Sequence, residues 1–186
     1  MSNSDKKIQW YDTLEDDEEK SVETETVKKT VKGPKKSTKK EAMVLLGKYA
    51  DDFAEWLVVV NKEMDLEDRP DIALQAVRGV LHAFRDRMVP AEVFNLSAQL
   101  PVMVRGFYFE GYNLNDKPEK YNAEGFLNII KDSFGGNEDI KPESAFKAVL
   151  NLLYEHVSKG EMDDIYGGMP KDIKQLWKDN LNQEFA

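Results

Sequence analysis

Arg85, Asp86 and Arg87 form the densest charged triplet in an otherwise apolar-periodic segment. Two guanidiniums beside a carboxylate have the chemistry of an anion or substrate site. The same three residues also suit a structural role, with the arginines bonding carbonyls left free at neighbouring helix ends or pairing with acids. Stepping about 100° per residue from Val77, the centre of the apolar stripe, puts Arg85 near +80° and Arg87 near −80°. Asp86 falls near 180°, which points it to solvent. The structural role is the favoured reading, because general acid–base work needs a second titratable group converging in a cleft. Gln99 and Arg105 flank Pro101. Gln99 is expected to satisfy backbone groups exposed by the proline break. Arg105 is expected to sit near a helix end or against acids, with a ligand clamp as the rival role. Arg85, Arg87, Gln99 and Arg105 thus make up the candidate anion-binding or structural polar cluster.

Other chemistry is excluded more sharply. The chain has no cysteine, which removes thiol nucleophiles, zinc–thiolate sites and disulfides. His82 and His156 belong to no HExxH or ExxH pair, so a di-iron or zinc site has no ligand set. Asp132–Asp139 misses the ligand positions of a calcium loop. The run KGPKKSTKK lacks the GxxxxGK[ST] spacing of a phosphate-binding loop. No catalytic, cofactor or metal residue is therefore assigned. Phe107, Tyr108, Phe109 and Tyr112 form a dense aromatic group, expected in the core between two units or, alternatively, lining an apolar ligand pocket.

Charge divides the chain. Residues 1–27 carry nine acids and three lysines, residues 28–40 seven lysines and no acid, and residues 41–186 carry 26 acids against 16 bases. An acidic body argues against a nucleic-acid groove on it, and only Lys28–Lys40 offers weak attraction to such a polymer. Residues 1–40 are poor in large apolar side chains and are expected to be disordered. Within them Ile8, Trp10, Tyr11 and Leu14 read as a docking motif for a protein partner, with Ile8, Tyr11 and Leu14 on one helix face. The N-terminus has no apolar signal core and no run is long enough to span a bilayer, so the expected location is the cytoplasm.

Beyond Lys40 apolar residues recur at three- and four-residue spacing, and two stretches match at a fixed offset of 69 residues. Val77 meets Phe146, Leu100-Pro101 meets Met169-Pro170, Val104 meets Ile173 and Tyr108 meets Trp177. The same offset pairs Leu57 with Phe126 and Asn61 with Ile130. The expected fold is all-α: a disordered tail (1–40), then two tandem-duplicated multi-helix units (41–112 and 113–186) packed as one pseudo-symmetric domain. Each unit should hold four helices. They run about Ala42–Met64, Asp71–Met88, Ala91–Gln99 and Pro101–Glu110 in the first. In the second they run about Asn122–Phe134, Pro142–Ser158, Glu161–Gly167 and Pro170–Leu181. Pro101 and Pro170 should restart the last helix of each unit.

The stretch AVRGVLHAFRDRMVPAEVFNLSAQLPVMVRGFYFEGY (Ala76–Tyr112) resembles the bacterial domain-of-unknown-function family 2267, and AVLNLLYEHVSKGEMDDIYGGMPKDIKQLW (Ala148–Trp177) resembles its second half. The resemblance implies a helical domain from about Lys40 onward and brings no activity with it. The functional expectation is a non-enzymatic interaction or accessory module whose tail recruits a partner. One alternative is a small-ligand binding protein with its pocket between the two units. The other is an enzyme of unrecognised type using the Arg/Asp/His set.

Overall fold

A computed structural model of the chain describes residues 39–182. The expected tail and its docking residues Ile8, Trp10, Tyr11 and Leu14 lie outside them, apart from Lys39 and Lys40, which open the first helix. The described residues form eight α-helices and no strand. They are α1 (Lys39–Glu63), α2 (Pro70–Arg87), α3 (Pro90–Gln99), α4 (Val102–Phe109), α5 (Ala123–Asp132), α6 (Pro142–His156), α7 (Lys159–Gly168) and α8 (Lys171–Asn180).

Proline sets most of the helix starts. Pro70, Pro90 and Pro142 each open a helix, where the missing N–H costs nothing. A proline also pushes the preceding residue out of the α region. Val89, Leu100 and Met169 accordingly sit at ψ 150°, 145° and 149°, so the chain must turn there. Pro101 and Pro170 are themselves extended N-caps, and α4 and α8 begin one residue later than expected. Where no proline helps, side chains cap. Asn122 accepts from Gly125 N–H at 2.9 Å, and the Ser158 hydroxyl accepts from Glu161 N–H at 3.4 Å.

The helices repeat as the sequence offset requires. Adding 69 to the bounds of α3 gives those of α7, and the starts of α4 and α8 correspond in the same way. Their packing repeats as well. α1 packs on α2 and α5 on α6; across the seam, α2 packs on α5 and α1 on α6. α2 meets α6, and α3 meets α7, each a helix against its own counterpart. Exchanging the two halves maps each of these contacts onto another of them or onto itself.

The first helices depart from the constant offset. Trp56 and Val60 are the buried positions of α1, and Phe126 and Ile130 those of α5, a spacing of 70 rather than 69. Leu57 and Asn61, paired with Phe126 and Ile130 in the sequence, lie only partly in the core. Between these helices and the next, the two connections differ by one residue, and burial follows the helix rather than the count.

One continuous core runs through both halves. Its centre is Phe84 on α2, with Phe126 at 5.2 Å, Phe146 at 5.9 Å and Trp177 at 5.2 Å between ring centroids. All three partners come from the second half. Trp56 on α1 is also fully buried and packs on the His156 ring at 5.3 Å. Each such ring is worth about 1.5–3 kcal/mol of burial, so the seam is where much of the stability resides. At Gly79 the helices approach so closely that a Cβ would lie 2.4 Å from Ser133 Oγ and 3.3 Å from Ile130 Cα. Only glycine permits α2 and α5 to meet there.

Candidate functional site

The charged end of α2 is a closed network. Arg85 is 3% exposed. Its Nε donates to Asp86 Oδ1 at 2.7 Å and its Nη2 to Oδ2 at 3.2 Å. Its Nη1 donates to the carbonyls of Tyr108 at 2.5 Å and Glu110 at 2.9 Å. These are carbonyls at the end of α4, which has no further turn to accept from. The guanidinium also lies 5.2 Å from the Tyr112 ring centroid.

Asp86 does not point to solvent as the helical wheel requires. The connection after α4 folds back over it. Lys117 Nζ sits 3.2 Å from Asp86 Oδ1 and also pairs with Glu119, whose N–H donates to the Asp86 carbonyl. The wheel assumes a helix with one wet face, but α2 is packed on α1, α4, α5 and α6. Burial pushes the Asp86 carboxyl up, but the hydrogen bond and charge of Arg85, with help from Lys117, outweigh it and hold the group below the ordinary range. Arg85 is thus committed to protein acceptors, and the network fastens the linker between the halves to α2.

The remaining sequence candidates are scattered. Arg87 is half-buried with its Nε lacking a hydrogen-bond partner, and it does not join the Arg85 network. Gln99, at the end of α3, accepts from Ser158 N–H at 2.7 Å and so caps α7 across the seam. Its amide reaches Glu161 Oε2 at 3.5 Å. Arg105 donates to the Leu100 carbonyl at 3.2 Å and reaches that of Ala98 at 3.5 Å, closing the end of α3. Its counterpart Lys174 donates to the Gly167 carbonyl at 2.8 Å, closing α7 in the same place. Of the four residues named together by sequence, Arg85, Gln99 and Arg105 therefore serve three separate helix ends, and Arg87 serves none of them.

The aromatic group of α4 is also placed differently from expectation. Tyr108 is buried inside the first half, donating to the Val93 carbonyl at 3.2 Å. Phe107 packs on Phe53 at 5.3 Å, and Phe109 on Phe94 and Tyr112. All are contacts within the first half, because α4 lies on α1 and α2. The aromatic core between the halves is the Phe84 cluster instead.

Two of the concave features among the described residues carry polar groups that could meet a ligand. At the α2–α5 seam a notch of about 210 Å³ is lined by Gln75, Arg78, Gly79, His82, Ile129 and Ser133. Gln75 Oε1 and Arg78 Nε there are buried without a partner, although Arg78 Nη2 pairs with Glu110 at 2.6 Å. His82 Nε2 donates to the Phe107 carbonyl at 2.8 Å. Burial pushes its imidazole below the ordinary histidine range. A cavity of about 540 Å³ lies in the second half, walled by Tyr154, Tyr166, Trp177 and Leu181, with Lys159, Lys178 and Asp163 also lining it. Among the described residues no group of three or more His, Asp or Glu is placed to hold a metal ion, and no helix is long and apolar enough to cross a membrane.

Among the described residues, the densest run of exposed apolar side chains is on α1. Met43, Val44, Leu45 and Leu46 are each more than 60% exposed, and Tyr49 is 38% exposed. The periodicity of this segment was legible in the sequence, but its lack of cover was not. Gln75 and Arg78 were likewise missed, since nothing in the spacing of α2 tells that its Gln75–Arg78 edge borders a notch.

The profile of the family described as an uncharacterized conserved protein, DUF2267, matches residues 53–176, and the chain belongs to that family. No curated protein matches the chain. The matched region begins at Phe53, where the buried part of α1 begins, and leaves out the exposed turns before it.

Proposed function

We propose, with membership of this helical family as the premise, that the protein is a non-enzymatic interaction module whose N-terminal arm recruits a protein partner. The arm comprises the lysine-rich segment before α1 and the outer turns of α1. The observation that carries this reading is the uncovered run Met43–Leu46 with Tyr49. Apolar side chains grouped on one protruding helix are characteristic of a binding surface. The charged network of α2 supports the same reading by elimination, since Arg85 and Asp86 bond to each other and to the backbone. Ile8, Trp10, Tyr11 and Leu14 extend the arm, with Trp10 the expected hot spot. The module acts in the cytoplasm in this reading. The test is capture from cell lysate with wild type, Trp10→Ala and a deletion of residues 1–40. Loss of a specific partner with Trp10→Ala supports the reading; identical retrieval by all three sinks it.

A second reading is a small-ligand protein, and the 540 Å³ cavity favours it. The cavity lies within the second half, away from the aromatic group of α4. Aromatic walls with two lysines against one aspartate suit an aromatic or aliphatic acid. Titrating such an acid while following Trp177 fluorescence, with Lys178→Glu as control, separates this reading from the first.

A further inference from the structure

The cavity of the second half lies where the first half holds aromatic rings. The offset of 69 residues relates the end of α2 to that of α6, α3 to α7, and the start of α4 to that of α8. It sets Asp163, Lys178 and Leu181, which line the cavity, against Phe94, Phe109 and Tyr112. In the first half those three rings make one continuous row, with Phe94 5.8 Å from Phe109 and Phe109 6.0 Å from Tyr112. Phe109 also meets Tyr108 edge-on at 5.0 Å. The second half has none of the three rings and keeps an aromatic surround for them. Trp177 stands in the place of Tyr108, and Tyr154 and Tyr166 meet it edge-on at 6.2 Å and 5.5 Å. What is left between them is the cavity of about 540 Å³, within the usual size of small-molecule sites. Its charged lining is exposed, and Lys159 and Lys178 outnumber Asp163, so the outer edge favours an anion over a cation.

We infer that this cavity takes a single-ring aromatic carboxylate, its ring set against Trp177 as Phe109 is set against Tyr108, and its carboxylate turned outward to Lys159 and Lys178. The inference rests on the small-ligand reading and narrows the ligand from acids at large to aromatic ones. The first half supplies the reason. At the equivalent place it spends three aromatic residues, and edge-to-face packing is what joins Phe109 to Tyr108. A saturated ring of the same size fills the volume but lacks the charge distribution that such packing uses. The carboxylate end follows from the exchange of Phe109 for Lys178, which removes a ring and brings a cation in one step.

The test is isothermal titration calorimetry on the purified full chain, with thermal melting as a fold control. The probes are phenylacetate, its saturated analogue cyclohexylacetate, and benzylamine. Phenylacetate is expected to bind, and cyclohexylacetate to bind about three- to tenfold more weakly. Lys178→Gln is expected to weaken phenylacetate and Asp163→Asn to tighten it, with the melt unchanged because both side chains are exposed. Lys178→Phe puts back the ring of the first half, and is expected to abolish binding while the melting temperature holds or rises. Binding indifferent to Lys178→Phe overturns the inference, as does benzylamine binding more tightly than phenylacetate. Cyclohexylacetate binding as well as phenylacetate, with both lost in Lys178→Phe, overturns it and leaves the small-ligand reading standing. No heat from either acid sinks both. Phenylacetate binding only in Phe185→Ser also overturns it, since Phe185, outside the described residues, then supplies the ring from this chain.

Discussion

The ends of α2 and α6 occupy equivalent places in the two halves and solve the same problem with different chemistry. Each must hold down the fourth helix of its own half. In the first half Arg85 donates to the carbonyls of Tyr108 and Glu110, and its charge is balanced by Asp86. In the second half the residue 69 positions on is Tyr154, whose hydroxyl accepts from Trp177 Nε1 at 3.2 Å. Trp177 is itself the counterpart of Tyr108. Likewise His82 donates to the Phe107 carbonyl, while its counterpart Asn151 accepts from Asn182 N–H at 3.1 Å. The apolar framework tolerates either solution because the helix ends ask only for a polar partner, not for a particular one. The difference is in the cost of error. A buried guanidinium without its carboxylate is far less tolerable than a tyrosine without its hydroxyl.

The largest test separates the halves altogether. Residues 39–112 expressed alone are expected to show no cooperative thermal transition, because Phe84 then loses Phe126, Phe146 and Trp177 together. A sharp melt from that fragment breaks the view that the halves share one core. Next comes the comparison of helix ends. Arg85→Ala leaves two carbonyls without their donor and Asp86 with Lys117 alone, and is expected to cost about 3 kcal/mol in urea denaturation. Tyr154→Phe at the equivalent place is expected to cost about 1 kcal/mol. Equal losses at the two positions refute the division between a charged and an aromatic solution.

Sequence carried the helices well, because apolar periodicity and proline placement are local properties. The offset of 69 residues matches the bounds of α3 and α7 and the starts of α4 and α8, and differs by one residue at the first helices, where a connection of different length intervenes. Sequence read Asp86 as solvated, because a wheel has no knowledge of what a later segment folds over; Lys117 and Glu119 come from beyond α4. It placed the aromatics of α4 between the halves, whereas the partner of each ring is a matter of which helix lies alongside. Phe53 for Phe107 and Val93 for Tyr108 are tertiary facts. The exposed turns of α1 look in sequence like any other core helix.

A smaller effect sharpens the seam itself. Gly79→Ala forces apart Ser133 and the backbone of Ile130, and is expected to destabilise by about 1–3 kcal/mol despite alanine's better helix propensity. The counterpart in α6 is Ala148, so the close approach belongs to α2 and α5 alone. Ala148→Gly is expected to cost about 1 kcal/mol through helix propensity. Thermal melts of the two variants, whose substitutions are opposite in kind, test whether packing or propensity governs each site.

The smallest expected effects are in pH, and there Asp86 and His82 in the first half should respond with opposite sign to Glu161 in the second. In the first half the Asp86 carboxyl is held below its ordinary value, so its contribution is present above the unfolded value of about 4 and is lost as pH falls through the lower folded value. His82 is also held down, by burial, so the unfolded chain takes up its proton first, and stability falls as pH drops below about 6.5. In the second half Glu161 on α7 is pushed up, first by burial and then by the charges of Glu92 and Asp164. Its folded form binds a proton more readily than the unfolded chain, so acidification through that raised value stabilises the fold. Urea midpoints measured from pH 7.5 to pH 4 on wild type, His82→Gln and Glu161→Gln separate these terms. His82→Gln is expected to flatten the loss that begins near pH 6.5. Glu161→Gln is expected to raise stability slightly at neutral pH and to abolish the offsetting gain on acidification. A Glu161→Gln profile parallel to wild type means that burial on α7 and the neighbouring charges do not hold the Glu161 carboxyl up.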